Sequence, residues 1–210
     1  MKRIIIPLIM IVTLAIAGTA LAQSEARKTL DATIDSVLDI LSSPGFKTEQ
    51  RDSLIAKLET EIKKTFDFEE FCTRTVGGKW NDFSSDQKKR FEEAFTDLLY
   101  YTYIGSLEKY SGEKIVLTAE HFSTKGDKVE IQTYFPYQGQ QFMVYYRMLK
   151  KPQGWKVYDV IIENSNSLVQ SYRNQFQDIL KKQSVDQLIS LVEQKAQEKK
   201  ASNEAAAVGK

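Results

Sequence analysis

The side chains that could support acid–base, nucleophilic or metal chemistry are few and far apart in this sequence. It contains one histidine, His121, and one cysteine, Cys72, so it can form neither an intramolecular disulfide nor a CxxC zinc or redox motif. His121 could be a general base, but its position near the end of an alternating segment is more typical of a surface or edge-strand histidine. The apolar helical surroundings of Cys72 favour a buried, unreactive thiol over a disulfide-linked dimer.

Carboxylates are the other candidates, because a pair of them can do acid–base work. Those in the β-rich part of the chain are Asp127, Glu130, Asp159 and Glu163. Asp159 interrupts an apolar strand face, and we interpret it as a hydrogen-bonded structural group paired with an arginine such as Arg147 or Arg173. No glycine-rich phosphate loop, GxSxG or HExxH motif is present. We therefore expect no catalytic residue, no metal and no cofactor.

The charge balance excludes some classes of partner. The chain has 29 Lys and Arg against 28 Asp and Glu, a formal net charge of +1. Such a near-neutral chain lacks the basic footprint of a nucleic-acid-binding protein. It also has no strong electrostatic attraction to anionic membrane surfaces.

The N-terminal residues 1–22 have the layout of a secretory signal peptide. Lys2 and Arg3 precede an apolar run over 4–16, and Ala20-Leu21-Ala22 places small residues at −3 and −1 of a cleavage site. The apolar run is short for a membrane span, although an uncleaved anchor is the alternative. We expect cleavage after Ala22, a single domain over 23–197 and a disordered polar tail over 198–210.

Apolar periodicity predicts helices on both sides of a strand region. The expected helices cover 25–41, 48–64, 68–76, 84 to about 110, 165–182 and a last segment that begins after Ser184. Ser84 with Gln87 forms a capping-box pattern. The helix after Ser84 is apolar around much of its circumference, which indicates burial on more than one side.

The apolar period changes from about 3.6 to 2 near Glu113, which indicates β-structure. Four strands are expected over 114–123, 128–136, 141–150 and 155–163, joined by short turns. Short connections make neighbouring strands antiparallel, so the strands form a meander. The sequence therefore predicts an α+β fold in which helices pack on a curved, four-stranded antiparallel sheet.

Several motifs in a fixed order resemble the MlaC-like family, also called the toluene-tolerance or ABC-transporter auxiliary family. They are Phe66-Asp67-Phe68, Val76-Gly77-Gly78-Lys79-Trp80, Phe91 with Phe95, Tyr146-Arg147, Trp155-Lys156-Val157-Tyr158-Asp159-Val160 and the segment 167–176 with the sequence SLVQSYRNQF. The resemblance covers about Leu30 to Val192. In one departure, residues 163–169 read ENSNSLV, one residue longer than the family pattern and without its glycine.

The resemblance implies a periplasmic carrier that holds phospholipid acyl chains in an apolar pocket between a twisted sheet and its helices. It further implies shuttling between an inner-membrane ABC transporter with an MCE-domain subunit and an outer-membrane lipoprotein–porin complex. Such a carrier contributes to the lipid asymmetry of the outer membrane. We expect this chain to act as a monomer.

A lipid pocket needs apolar walls, and three predicted segments can supply them: the helix after Ser84, the sheet and the helix over 165–182. The candidate lining residues are Phe95, Leu98, Leu99, Tyr103, Val129, Ile131, Phe142, Val144, Tyr146, Val157, Leu168, Tyr172 and Phe176. The same residues would also form an ordinary packed core. Arg147 and Arg173 could meet a lipid phosphate or form structural ion pairs.

Two other classes of function stay open from the sequence. One is a small isomerase or hydratase on a cone-shaped α+β fold, which would need Asp159 or His121 in its pocket. The other is a periplasmic adaptor or chaperone without a ligand, with the helices over 25–64 as its contact surface. Co-purified phospholipid would distinguish the carrier from both.

Overall fold

The computed structural model describes residues 23–47, 50–107, 112–137, 139–162 and 167–208. Within them, six α-helices and a four-stranded sheet confirm the α+β class. The elements are α1 (Glu25–Leu41), α2 (Arg51–Thr65), α3 (Phe68–Val76), α4 (Ser85–Leu107), β1 (Val116–Phe122), β2 (Lys128–Tyr137), β3 (Gln140–Lys151), β4 (Gly154–Ile162), α5 (Leu168–Leu180) and α6 (Val185–Val208). Short 3₁₀ turns cover Pro44–Lys47 and Gly77–Asp82.

The sheet is the predicted antiparallel meander, with strand order β1-β2-β3-β4. Each strand begins and ends within two residues of its predicted limits. The β3–β4 turn ends at Gly154, whose φ of 109° is a conformation that side chains with a Cβ rarely adopt. Phe66 pairs with Val157 and Ser167 with Ile161 along the outer edge of β4, so this edge is covered by two other segments of the chain.

One face of the sheet is apolar, and we call it the inner face. Val129 and Ile131 of β2 lie there opposite Met148 and Tyr146 of β3. Ala26 and Leu30 of α1 pack against this face. The sheet core consists of Ala26, Leu30, Val129, Ile131, Met148, Trp155, Val157 and Val160. Burying this apolar surface is the main reason why α1 docks on the sheet.

A second, aromatic cluster joins the helices to one another, and we call it the helical core. Its buried members include Phe71, Cys72, Phe91, Phe95 and Phe176. The ring of Phe176 meets those of Phe91 and Phe95 edge-on, with centroids 5.4 and 5.1 Å apart. Edge-to-face aromatic pairs of this kind stabilise a core by about 0.5–1.5 kcal/mol beyond the area that they bury.

Leu168, at the start of α5, packs against both cores. It therefore marks the place where the sheet layer and the helical layer meet. A third, smaller cluster of Leu54, Leu58 and Ile104 joins α2 to α4.

Two of the helices that begin after a serine, α4 and α6, have reciprocal N-terminal caps. The Ser84 amide donates to Gln87 Oε1 at 3.0 Å, and the Gln87 amide donates to Ser84 Oγ at 3.2 Å. Ser184 and Gln187 repeat this pattern at the start of α6. The capping box predicted at Ser84 is confirmed, since each side chain satisfies an amide that the helix leaves unpaired.

Residues beyond 197 do not form the tail that the sequence suggested, because α6 continues to Val208. Ala196 is only 2% exposed, and the Asn203 Nδ2 group donates to the Tyr101 carbonyl of α4 at 2.7 Å. The composition was misleading because alanine is the best helix former and can be buried in a close helix–helix contact without a large side chain. Gly105 of α4 lies directly beside Asn203, which helps the two helices to approach.

Asp159 joins the sheet to α5. Its side chain is 2% exposed, and Oδ1 accepts hydrogen bonds from the amides of Val160 at 2.9 Å and Val169 at 3.1 Å. Arg147 Nη1 donates to Oδ2 at 3.3 Å. The structural role predicted for Asp159 is confirmed, with Arg147 as the arginine partner. The carboxylate also lies at the N-terminus of α5, where the helix dipole favours a negative charge.

Parts of the sequence predictions fall outside the described residues. They are the signal peptide over 1–22, the first residues of the helix expected over 48–64, the end of the helix expected to reach about 110, Glu163 with the variant loop at 163–166, and the end of the polar tail at 209–210.

The extended α6 can be tested by deletion. Removing residues 198–210 should reduce the helical circular dichroism signal and lower the free energy of unfolding by about 1 kcal/mol or more, since the Asn203 hydrogen bond and part of the α4–α6 contact are lost. Removing only residues 209–210 is the matched control. Equal helicity and equal urea midpoints for the two deletions would show that the segment contributes no structure.

The Asp159 anchor can be tested by removing its charge while keeping its shape. Asp159→Asn should lower the free energy of unfolding by about 1–2 kcal/mol, because charge-assisted hydrogen bonds become neutral ones. Asp178→Asn is the control, since Asp178 is exposed and pairs only with Lys181 on its own helix. A urea midpoint for Asp159→Asn equal to that of the control would contradict the anchoring role.

Candidate functional site

The groups considered for catalysis do not converge in the described part of the chain. His121 is exposed on β1, an edge strand. Cys72 is 1% exposed in the helical core, and burial raises the pKa of its thiol well above the ordinary value, so the nucleophilic thiolate is disfavoured. Both interpretations made from the sequence, an edge-strand histidine and a buried thiol, are confirmed. Among the described residues, no group of three or more His, Cys, Asp or Glu side chains is placed to hold a metal ion.

The arginines considered for phosphate binding lie away from the inner face. Arg147 alternates with Tyr146 on β3 and therefore lies on the opposite face of the sheet, where it pairs with Glu130 at 3.0 Å and with Asp159. Arg173 of α5 lies against Gly77, with Nη2 3.3 Å from the position that a Cβ would take there. Arg147 thus forms the structural ion pair that the sequence left open.

The structure places the candidate lining residues in two groups. Those in or against the helical core are Phe95, Leu98, Leu99, Leu168, Tyr172 and Phe176. Those on the inner face of the sheet are Val129, Ile131, Phe142, Val144, Tyr146 and Val157. Tyr103 lies on α4, near Tyr172. Leu168 packs against both cores, so the two groups meet at this residue.

The candidate lining residues also differ in how far they are buried. Phe95, Leu98, Val129, Ile131, Val157 and Phe176 are buried against other side chains. The remaining candidates keep part of their surface accessible: Leu99, Tyr103, Phe142, Val144, Tyr146, Leu168 and Tyr172. Only the second set can contact a guest molecule without a rearrangement of the core.

Tyr146 is one of the partly accessible candidates on the sheet. It lies at the middle of the inner face between Ile131 and Val160, which are both buried. Burial alone raises the pKa of its hydroxyl to about 12, because the phenolate is disfavoured where protein atoms replace water. The side chain nevertheless keeps accessible surface. Tyr146 therefore presents an accessible phenol in apolar surroundings on the inner face.

Two tyrosines on the helical side have similar surroundings. Burial raises the pKa of Tyr103 and, with a smaller contribution from Tyr103 itself, raises that of Tyr172 to about 12. The Tyr172 ring meets the Phe95 ring edge-on, with the ring centroids 4.7 Å apart. The helical side of the candidate set is therefore largely aromatic.

Sequence reasoning missed several accessible apolar side chains of the inner face. Ile34 of α1, Leu117 of β1 and Ile162 of β4 pack against the sheet core while remaining partly exposed. Phe135 of β2 stacks on Phe142 with centroids 5.6 Å apart. The alternation along each strand could have identified Leu117, Phe135 and Ile162, since they share the face of Val129 and Val144.

A separate cleft of about 1080 Å³ lies between α2, α3, α4 and the β3–β4 turn. Most of its walls are charged, including Glu69, Glu92, Glu93 and Lys151, with Phe66 and Phe68 as its aromatic part. None of the candidate lining residues borders this cleft, nor the smaller grooves of about 570 and 340 Å³ on α1–α2 and on α6. The many charged side chains of the larger cleft make it unsuited to acyl chains.

In the described part of the chain, no helix is both long enough and apolar enough to cross a membrane.

Comparison with known proteins gives consistent matches over most of the chain. The chain is 22% identical over 186 residues to the intermembrane phospholipid transport system binding protein MlaC of Haemophilus influenzae, covering 86% of each chain. Its fold matches a phospholipid-binding protein of Ralstonia solanacearum, solved in complex with a phospholipid, with a TM-score of 0.75 and 25% identity. That match covers 84% of this chain and 99% of the other.

The family model described as MlaC protein matches residues 31–194. This range includes α4, the whole sheet and α5, which carry the candidate lining residues. The chain therefore belongs to the MlaC family.

Proposed function

We propose that this protein is a phospholipid carrier that holds acyl chains against the inner face of its sheet. The observation that carries the proposal is the accessible apolar surface of Val144 and Tyr146 on β3, a strand with a neighbour on either side. A fold relative solved with a bound phospholipid supports the same assignment.

The energetic need for such a carrier is large. A diacyl lipid exposes about 30 methylenes, and each costs about 0.8 kcal/mol in water, so the chains alone cost on the order of 25 kcal/mol. Free lipid therefore almost never crosses an aqueous space. A protein that replaces water with apolar walls removes this barrier.

The acyl chains would lie where the two cores meet, beside Leu168. The sheet wall would be Val144, Tyr146, Phe142 and Ile162, and the helical wall Leu99, Tyr103 and Tyr172. Since none of these candidate residues borders the clefts described above, a lipid that needs several hundred Å³ would have to move the helical layer away from the sheet. The anchors at Asp159 and Leu168 make the start of α5 the natural hinge of that movement.

The cellular setting is part of the proposal. The signal-peptide layout of residues 1–22 and membership of the MlaC family support a periplasmic location. The name of the Haemophilus relative, an intermembrane transport binding protein, supports exchange with an inner-membrane ABC transporter and an outer-membrane complex. The protein would accept and release lipid by differences in affinity between partners.

A carrier also fits the candidate polar groups better than an enzyme does. Asp159 is engaged by two amides and Arg147, and His121 is exposed on an edge strand. We therefore propose a binding protein without catalytic activity.

The proposed inner-face site can be tested with adjacent residues on opposite faces of β3. Val144→Asp should reduce phospholipid uptake from vesicles at least tenfold, because a carboxylate in the acyl space must be desolvated. Met143→Asp is the matched control, since Met143 pairs with Tyr134 on the other face. Bound lipid would be measured by organic extraction and mass spectrometry after the protein is separated from the vesicles.

A second variant keeps this test decisive if Val144→Asp fails to fold. Val144→Trp stays apolar and fills the space, so it should also lower the amount of lipid bound. Melting temperatures establish that each variant is folded. Folded Val144 variants that load as much lipid as Met143→Asp would contradict the proposed inner-face site.

A further inference from the structure

The cleft of about 1080 Å³ between α2, α3, α4 and the β3–β4 turn carries negative charge that the protein does not neutralise. Within the described ranges, four carboxylates on its walls form no ion pair: Glu69, Glu92, Glu93 and Asp97. A fifth, Asp67, pairs with Lys151 at 3.1 Å. We call this space the charged cleft.

Most of the lysines that border the charged cleft are used in other contacts. Lys63 pairs with Glu59, which lies outside the cleft walls. Lys151 pairs with Asp67, and Lys156 donates to a backbone carbonyl at the end of α2. The charged cleft therefore keeps a surplus of unpaired carboxylates.

The electrostatic surroundings of Glu92 agree with this surplus. Partial burial is the main cause of its raised pKa. The nearby carboxylates of Glu69, Asp67 and Glu93 raise the pKa further, whereas Lys63 makes the smallest contribution and acts in the opposite direction. A cation brought into the charged cleft would relieve this repulsion.

A second, independent observation is an unpartnered hydroxyl on the α4 wall. Thr96 borders the charged cleft and is only 7% exposed. Its hydroxyl forms no hydrogen bond with any described residue, whereas Thr102 on the same helix donates to the Leu98 carbonyl at 2.6 Å. The Thr96 Oγ1 atom is not fully enclosed, so it reaches the space of the cleft. A nearly buried residue with a free hydroxyl at a cleft wall points to a ligand that forms hydrogen bonds.

The charged cleft also has an aromatic wall. The rings of Phe66 and Phe68 stack with centroids 5.9 Å apart, and both side chains are partly exposed. Lysine and arginine suit such surroundings, because their aliphatic stems pack on a ring while their charged ends reach the carboxylates. The volume is at the top of the usual range for small ligands, roughly 300–1,000 Å³, and so has room for several residues of a polypeptide.

We propose that the charged cleft is a docking site for a segment of a partner protein rich in lysine or arginine. The four unpaired carboxylates would pair with basic side chains, the Phe66–Phe68 stack would contact their stems, and the Thr96 hydroxyl would bond to a polar group of the segment. None of the candidate lipid-lining residues borders this cleft. The inference therefore goes beyond the carrier function and does not depend on it.

The test measures binding of a short, amidated, lysine-rich peptide with a single tryptophan, by isothermal titration calorimetry at physiological ionic strength and without lipid. The double variant Glu92→Gln with Glu93→Gln should bind this peptide about tenfold more weakly, because two charge-assisted contacts become neutral. Asp178→Asn with Glu198→Gln is the matched control. It removes the same charge at exposed sites outside the cleft and should keep the affinity.

A second variant tests the hydroxyl without changing the charge. Thr96→Val should weaken peptide binding roughly three- to tenfold, the range expected for one hydrogen bond. Its melting temperature should not fall, since the hydroxyl has no partner within the described protein. This combination separates a binding role from a purely structural one.

Several results would overturn the proposal. They are no binding of the lysine peptide, equal affinities of the Glu92–Glu93 double variant and its control, or equal binding of a peptide with glutamate at each lysine position. Equal affinity for lysine amide would assign the charged cleft to small cations instead. A self-association that the double variant abolishes in sedimentation would assign it to a second copy of the chain. None of these readouts uses lipid, so each leaves the carrier function standing.

Discussion

The apolar inner face of the sheet is the constraint on which the rest of this structure depends. Four antiparallel strands place Val129, Ile131, Met148 and Val157 on one face, and this surface cannot be left in water without a large cost in free energy. Helix α1 covers one part of it. The part around Val144 and Tyr146 keeps accessible surface, and this difference separates the packed core from the wall that we propose binds lipid.

Polar contacts hold the helical layer in register with the sheet. The Asp159 carboxylate bonds to Val169 at the start of α5 and is itself held by Arg147, while Leu168 contacts both cores. Lys151 of β3 adds a second polar link to the helical layer through Asp67 and Glu70 at α3, and the interior of that layer is packed by Phe91, Phe95 and Phe176. Aromatic packing is less directional than hydrogen bonding, which suits the movement of the helical layer that we propose for lipid entry.

Much of the fold could be predicted from the sequence, because the elements have strong local signals. The capping pattern of Ser84 and Gln87 predicted the start of α4, and the alternation of apolar and polar residues predicted all four strands. The last helix was predicted, but its continuation beyond residue 197 was missed because its contacts there use small or polar residues such as Ala196 and Asn203, which carry no apolar periodicity. The candidate site was predictable only as a set of apolar positions: Phe95 and Val144 look alike in sequence, and only the packing shows that the first is buried and the second accessible.

The proposed site is tested most directly by locating the acyl chains in the lipid-loaded protein. A phospholipid with a photoreactive group near the middle of one acyl chain would be loaded, activated by light and mapped by mass spectrometry of the digested protein. The account predicts adducts on β3 at Val144 to Tyr146 and on α4 or α5 near Tyr103 and Tyr172. Adducts confined to the charged cleft beside Phe66 and Phe68, or to the opposite face of the sheet, would contradict it.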